Sequence, residues 1–90
     1  MTEIQVIITN VAGLHARPAA QLVQKAASFN CAVKIAGNNK VANGKSILAV
    51  MGMGLTKNTE ITITAEGPDE DICIETLKEL IESNFGEDKV

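Results

Sequence analysis

The chain has one histidine, His15, and it stands in a run whose residue types suit phosphoryl chemistry: Gly13-Leu14-His15-Ala16-Arg17-Pro18-Ala19-Ala20. A neutral imidazole is a nucleophile that can carry a phosphoryl group on nitrogen, and a guanidinium two residues on can neutralise phosphate oxygens. If a helix begins at Ala16, His15 is its N-cap residue and Pro18 falls in the first turn, where a missing N–H does no harm. The unpaired amides of that turn and the positive end of the helix then converge on one place, which suits an anion. The spacing leaves two readings open. His15 is a nucleophile that takes up a phosphoryl group and passes it on, or it is a histidine that only caps the helix or fills a surface groove.

Other candidates for chemistry are weaker. Asn43-Gly44-Lys45-Ser46 has the end of a phosphate loop, but Asn39 stands where a Walker A motif needs its first glycine. Gly52-Met53-Gly54 is too short for a dinucleotide fingerprint. Cys31 and Cys73 are too far apart in sequence for a structural zinc site, so no metal and no cofactor is expected, and both read as small, partly buried thiols. Ser46 reads first as a helix N-cap and second as a phosphosite, because a phosphoserine is welcome at a helix N-terminus. Ile47, Leu48, Met51, Met53 and Leu55 are more apolar than one short helix needs. Part of this run is expected in the core, and the excess suggests an exposed apolar patch that docks partners beside a basic rim containing Lys45.

Those residues need a scaffold, and the hydrophobic pattern supplies one. Ile4, Val6 and Ile8 alternate as a half-buried strand ending near Asn10 to Gly13. Ala19, Leu22, Val23 and Ala26 recur at helical spacing, broadened by Ala20 and Ala27, and predict an alanine-rich helix of about three turns from Ala16. Residues 32–35 and 40–42 predict a hairpin across Gly37-Asn38-Asn39, and residues 47–51 a short helix capped by Ser46. Residues 59–65 alternate cleanly, with Ile61, Ile63 and Ala65 facing inward. Asp69, Glu70 and Asp71 load the start of a last helix whose stripe is Cys73, Leu77, Leu80, Ile81 and Asn84, stopping at Gly86, while Glu75, Glu79 and Glu82 form its solvated face. The order βαββαβα predicts one α+β domain over residues 1–90, an antiparallel sheet with helices on one face.

Composition narrows the function. Ninety residues cannot hold a catalytic barrel or a doubly wound nucleotide fold, and 46% hydrophobic with 21% charged residues is the balance of a packed globular chain. No apolar run is long enough to cross a bilayer and no targeting signal is evident, so a cytoplasmic protein without membrane insertion is expected. There is no Trp or Tyr and only two Phe, so the platforms that stack unpaired bases are missing, which argues against nucleic acid and against an RNA-binding module of the same element order. The net charge of −3 conceals a segregation. Residues 4–59 hold six bases and no acid, and residues 60–90 hold ten acids and two bases, so an anionic ligand or an acidic partner is expected on the first part.

Taken together, G-L-H-A-R-P-A-A at 13–20, G-K-S-I-L-A-V-M at 44–51 and T-K-N-T-E-I-T-I-T-A-E-G at 56–67 resemble the HPr family, the histidine-containing phosphocarriers of the bacterial phosphoenolpyruvate-dependent sugar phosphotransferase system. The resemblance spans essentially the whole chain. It implies an open-faced β-sandwich, a four-stranded antiparallel sheet with three helices on one face. It implies that His15 is phosphorylated on Nδ1 by phosphorylated enzyme I and donates to the IIA domains of sugar permeases, with Arg17 positioning the phosphate and Ala16 and Pro18 at the helix N-terminus beside it. Such a protein is a stoichiometric carrier, not an enzyme, and is expected to be a monomer.

Ala20, Lys45, Ile47, Leu48, Met51 and Met53 fall where the family docks partners. Ser46 matches the serine phosphorylated by HPr kinase/phosphorylase, whose product binds the catabolite control protein. The presence of His15 separates the chain from the Crh branch, and the alternative within the family is a regulatory or nitrogen-branch paralogue acting by phosphorylation-dependent binding. Two departures stand out: Ala12 replaces a small polar residue common beside the phosphoryl site, and Leu48-Ala49 replaces a common Met-Gly, which bears on the catabolite-control partner.

Overall fold

A computed structural model describes residues 1–9, 13–83 and 85. Seven elements follow in the expected order: β1 Thr2–Ile7, α1 Ala16–Ala27, β2 Ala32–Gly37, β3 Lys40–Asn43, α2 Ile47–Met51, β4 Glu60–Glu66 and α3 Glu70–Glu82. The sheet order is β1-β4-β2-β3 and every neighbouring pair is antiparallel, so the last strand in sequence fills the gap between the first two.

Alternation sets the two faces of this sheet. Ile4 pairs with Ile63, Ile63 with Ile35 and Ile35 with Ala42, a continuous row turned towards the helices. Val6 opposite Ile61 and Val33 opposite Ala65 extend it. The intervening residues, among them Glu3, Thr64, Lys34 and Asn43, form the other face. Pro18, Ala19, Leu22 and Ala26 of α1 and Cys73, Ile74, Leu77 and Ile81 of α3 close the core over the first face. The fold is thus an α+β open-faced sandwich of four antiparallel strands and three helices.

The departures from the sequence pattern are local. The hairpin turn is two residues, not three: Asn38 and Asn39 both have positive φ, at 51° and 62°, and Gly37 completes β2 opposite Lys40. Two consecutive left-handed residues make the tight connection whose twist matches that of the strands, and asparagine tolerates that conformation. Ala27, read as part of the α1 stripe, is exposed. Asn84 and Gly86, read as the end of the last helix, lie outside the described residues; α3 ends at Glu82, with Ser83 as its C-cap.

At the start of α3 the three acids are tied into the fold. Asp69 Oδ2 accepts from the Asn30 amide at 2.7 Å, Glu70 Oε1 from the Gly67 amide at 3.1 Å, and Glu70 and Asp71 both receive the Thr2 hydroxyl. These bonds fasten β1 and the segment before β2 to one helix end.

The register predicts a sharp contrast between two isoleucines of the same sheet. Ile63 is fully buried at the centre, whereas Ile7 is 50% exposed on the edge strand. Ile63→Ala is expected to lower unfolding free energy by about 3 kcal/mol and Ile7→Ala by less than about 1 kcal/mol, measured by urea denaturation. Equal losses would show that the faces are wrongly assigned.

Candidate functional site

Helix α1 begins at Ala16, and His15 is its N-cap residue, in extended conformation with φ −76° and ψ −172°. Its carbonyl accepts the first helical bond, from the Ala19 amide at 3.0 Å, while its side chain makes no capping hydrogen bond. The imidazole, Ala16 and Arg17 are exposed, and Pro18 is buried one residue further on. Among the described residues no acid stands in the first turn of α1 and no ion pair engages Arg17. Among the described residues nothing acidic opposes an anion at this helix end, and a guanidinium stands beside it.

What holds His15 there lies in another part of the chain. The Leu14 amide donates to the Leu55 carbonyl at 2.8 Å, and both side chains are buried. Gly13 has φ +68°, and a Cβ on it would stand 2.5 Å from that same carbonyl and 2.7 Å from Thr56 Cα, so only glycine lets the two backbones approach. Further back, Ile8 exchanges two bonds with the same loop, donating to Thr59 at 2.9 Å and accepting from Asn58 at 2.6 Å. The loop of residues 52–59 in turn is fixed by the hairpin, because Asn38 Nδ2 donates to the Met53 and Gly54 carbonyls.

Helix α2 is anchored at both ends. The Ser46 hydroxyl accepts from the Ala49 amide at 3.3 Å and its carbonyl from Val50, a functioning N-cap. The Lys45 amide donates to Asn43 Oδ1, and Lys45 Nζ reaches the Phe29 carbonyl, just past the end of α1. Lys40 Nζ donates to the Gly52 carbonyl at the other end. Since Lys45 meets the end of α1 and the segment after α2 meets Leu14, the short helix packs against α1 and runs antiparallel to it.

The apolar run of α2 divides in two. Leu48 is 81% exposed, Met51 41% and Ile47 37%, a contiguous patch on the outer side, and Ala20, one turn beyond Ala16, is half-buried on the helix beneath. Met53 does not belong to it. Expected among the docking residues, it is only 3% exposed, plugging the core below the 52–59 loop. The reason is visible in its backbone: Asn38 clamps the carbonyls of Met53 and Gly54, and Gly54 takes φ +67°, which turns the Met53 side chain inward. The tie between Leu14 and Leu55 was not foreseen, and its one signal is an apolar residue flanked by glycine beside the histidine. Ala12 lies outside the described residues. Among those described, no group of three or more His, Cys, Asp or Glu is placed to hold a metal ion, and no helix is long and apolar enough to cross a membrane.

Residues 2–83 match the family model described as the PTS HPr component phosphorylation site. The chain belongs to the HPr family. It is 44% identical to the phosphocarrier protein HPr of Mycoplasma capricolum over 79 residues, covering 88% of this chain and 89% of that one. The phosphocarrier protein HPr of Vibrio cholerae is 43% identical over 82 residues, 91% and 96% of the two chains. A crystal structure of HPr from Thermoanaerobacter tengcongensis superposes with a TM-score of 0.94 at 43% identity, covering 98% of this chain and 99% of its own. Crh of Bacillus subtilis, a catabolite-repression protein, superposes less closely, at 0.74 and 34% identity over 93% and 97%.

The cap geometry yields a stability test. Ser46→Ala is expected to cost about 1 kcal/mol in urea denaturation, and Ser46→Asp close to nothing, because a carboxylate also caps. No loss in Ser46→Ala would show that the Ser46 hydroxyl contributes no cap.

Proposed function

We propose that this HPr-family chain is a stoichiometric phosphoryl carrier, in which His15 accepts a phosphoryl group from phosphorylated enzyme I and hands it to the IIA domains of sugar permeases. The observation that supports it best is the exposed imidazole at the N-terminus of α1, with Arg17 beside it and the backbone behind it clamped through Leu14. In the transfer a ring nitrogen forms a bond to phosphorus as the donor's bond breaks, and no side chain need move a proton through the carrier. Placement and neutralisation of the three phosphoryl oxygens are then the main requirements. Ala16, Arg17 and Pro18 occupy the first turn, so the free amides of Ala16 and Arg17 and the Arg17 guanidinium supply donors. A rigid loop holds the imidazole for in-line attack, and its exposure lets two different partners reach it in turn. The carrier needs no cofactor and ends each cycle unchanged.

Ala20, Ile47, Leu48 and Met51 form the docking face in this reading, with Lys45 on its rim. An apolar centre with a basic rim suits partners that are acidic around an apolar spot. Ser46 is the regulatory phosphosite, a target of HPr kinase/phosphorylase, and the phosphorylated form is a ligand for the catabolite control protein. The protein works as a one-domain monomer in the cytoplasm; HPr of Thermoanaerobacter tengcongensis and Crh of Bacillus subtilis have been crystallised as dimers.

Incubation with enzyme I and phosphoenolpyruvate is expected to add about 80 Da, one phosphoryl group, in an acid-labile form. His15→Ala should give none of it, and Arg17→Ala should form it at least about tenfold more slowly. Failure of the unaltered protein to gain this mass with active enzyme I would overturn the reading.

Ser46→Asp is expected to slow the same phosphorylation by at least about tenfold through the charge added beside the docking face, with the circular dichroism spectrum unchanged. An unaltered rate would leave Ser46 as a helix cap alone.

A further inference from the structure

Cys31 and Cys73 are far apart in sequence, and the fold brings them together. Cys31 is buried immediately before β2, and Cys73 is fully buried in the first turns of α3. Asp69 ties the two segments: its Oδ2 accepts from the Asn30 amide at 2.7 Å and its carbonyl accepts from the Cys73 amide at 3.0 Å. The turn before α3 is pressed on Cys31 so closely that a Cβ on Gly67 would lie 2.7 Å from Cys31 Cβ and 2.6 Å from its Cα. Both side chains belong to the same buried core. Burial pushes the Cys73 thiol up to about 12, and the hydrogen bond with Cys31 and the charges of Cys31 and Asp69 act in the same direction against a smaller opposing influence of Lys45.

Both cysteines are free, and neither has a part in the phosphoryl transfer proposed for His15. That imidazole stands at the start of α1, and Cys31 follows the end of it, a helix of 12 residues or roughly 18 Å away. The thiols differ in access. Cys31 borders an open groove of about 380 Å³ between β2 and β3, lined by Val33, Val41 and the cations Lys34 and Lys45, whereas Cys73 is fully buried and does not line it.

We propose that Cys31 and Cys73 form an oxidisable dithiol that closes into an intramolecular disulfide, joining the start of β2 to the first turns of α3, when the protein meets hydrogen peroxide. The oxidant enters by the groove. The Cys31 sulfur gives up its proton and attacks one peroxide oxygen; an S–O bond forms, the O–O bond breaks, and the departing hydroxide leaves as water with that proton. The Cys73 sulfur then attacks the Cys31 sulfenic acid. The S–S bond forms, the S–O bond breaks, and the hydroxyl departs as a second water with the Cys73 proton. Two thiols are oxidised by two electrons and one peroxide is reduced to two waters. Cys73 is fully buried and Cys31 borders the groove, so oxidation enters at Cys31 and Cys73 is the resolving partner. A small-molecule dithiol reverses it by thiol–disulfide exchange.

The test treats the purified full chain with hydrogen peroxide, blocks remaining thiols with iodoacetamide and measures intact mass. A loss of about 2 Da with neither cysteine alkylated is expected, reversed by dithiothreitol, and a proteolytic digest should contain one pair of peptides linked through Cys31 and Cys73. The melting midpoint of the oxidised form should rise by at least about 5 °C, because the bridge closes a long loop. Cys31→Ser should abolish the mass loss. The linked peptides of the unaltered protein stand as an independent readout if that variant folds poorly. Two alkylated cysteines after peroxide, a disulfide between two chains, or a gain of about 32 Da on Cys31 as sulfinic acid would each overturn the proposal.

Discussion

The amide of Leu14 meets the carbonyl of Leu55 at 2.8 Å between two buried side chains, and the placement of the candidate site depends on that bond. A buried amide left unpaired costs roughly 1–3 kcal/mol, so the loop before α1 cannot leave the 52–59 loop without a large penalty. Gly13 makes the approach possible and Asn38 holds the far side of it. The result is a chain of backbone contacts from the hairpin tip, through Met53 and Leu55, to the residue next to His15. The imidazole is exposed, but the backbone that carries it is enclosed. A side chain that must present one nitrogen to successive partners needs that combination: an accessible ring on a fixed Cα.

Much of this was legible from residue type and spacing, because the elements are locally consistent. The alternation of Ile61, Ile63 and Ala65, the helical stripe from Ala19 to Ala26 and the hydroxyl of Ser46 each point to the element that forms. His15 at the cap and Pro18 in the first turn followed from the same local rules. The parts that were not legible depend on contacts between distant segments. Nothing near Met53 in the chain says that Asn38 will clamp its carbonyl, so within an apolar run expected to divide between core and surface, Met53 falls on the buried side and not on the docking patch. The pairing of Leu14 with Leu55 is of the same kind. A sequence window cannot contain both partners, and neither segment has a periodicity that requires the other.

The segregation of charge also acquires a physical form. The acids of α3 do not neutralise the cationic first part of the chain. Asp69, Glu70 and Asp71 are spent on amides and on the Thr2 hydroxyl, and Glu75, Glu79 and Glu82 face solvent. On the other side Lys40 and Lys45 each donate to a backbone carbonyl at an end of a helix, where a cation complements the negative end of the dipole, so their charges are held in place on the rim of α2. Arg17 is the cation left at the helix start that faces His15's surroundings. The net charge of −3 therefore describes neither surface.

The antiparallel packing of α2 on α1 bears on how a phosphate at Ser46 could influence His15 in the proposed function. Lys45 places the start of α2 beside Phe29, beyond the end of α1, while His15 stands at the start of that helix, roughly 18 Å away along its axis. At physiological ionic strength exposed charges are screened over about 8 Å, so a phosphate on Ser46 has little direct effect on an imidazole at that distance. The cap survives it, because phosphate oxygens accept the Ala49 amide as the hydroxyl does. What lies between the two residues is the exposed side of α2, with Leu48 and Met51 at its centre. A charge at its edge would have to be desolvated or repelled by any acidic partner seated there. Control by Ser46 then acts on the encounter, through a face that both residues share, and leaves the geometry around His15 as it is.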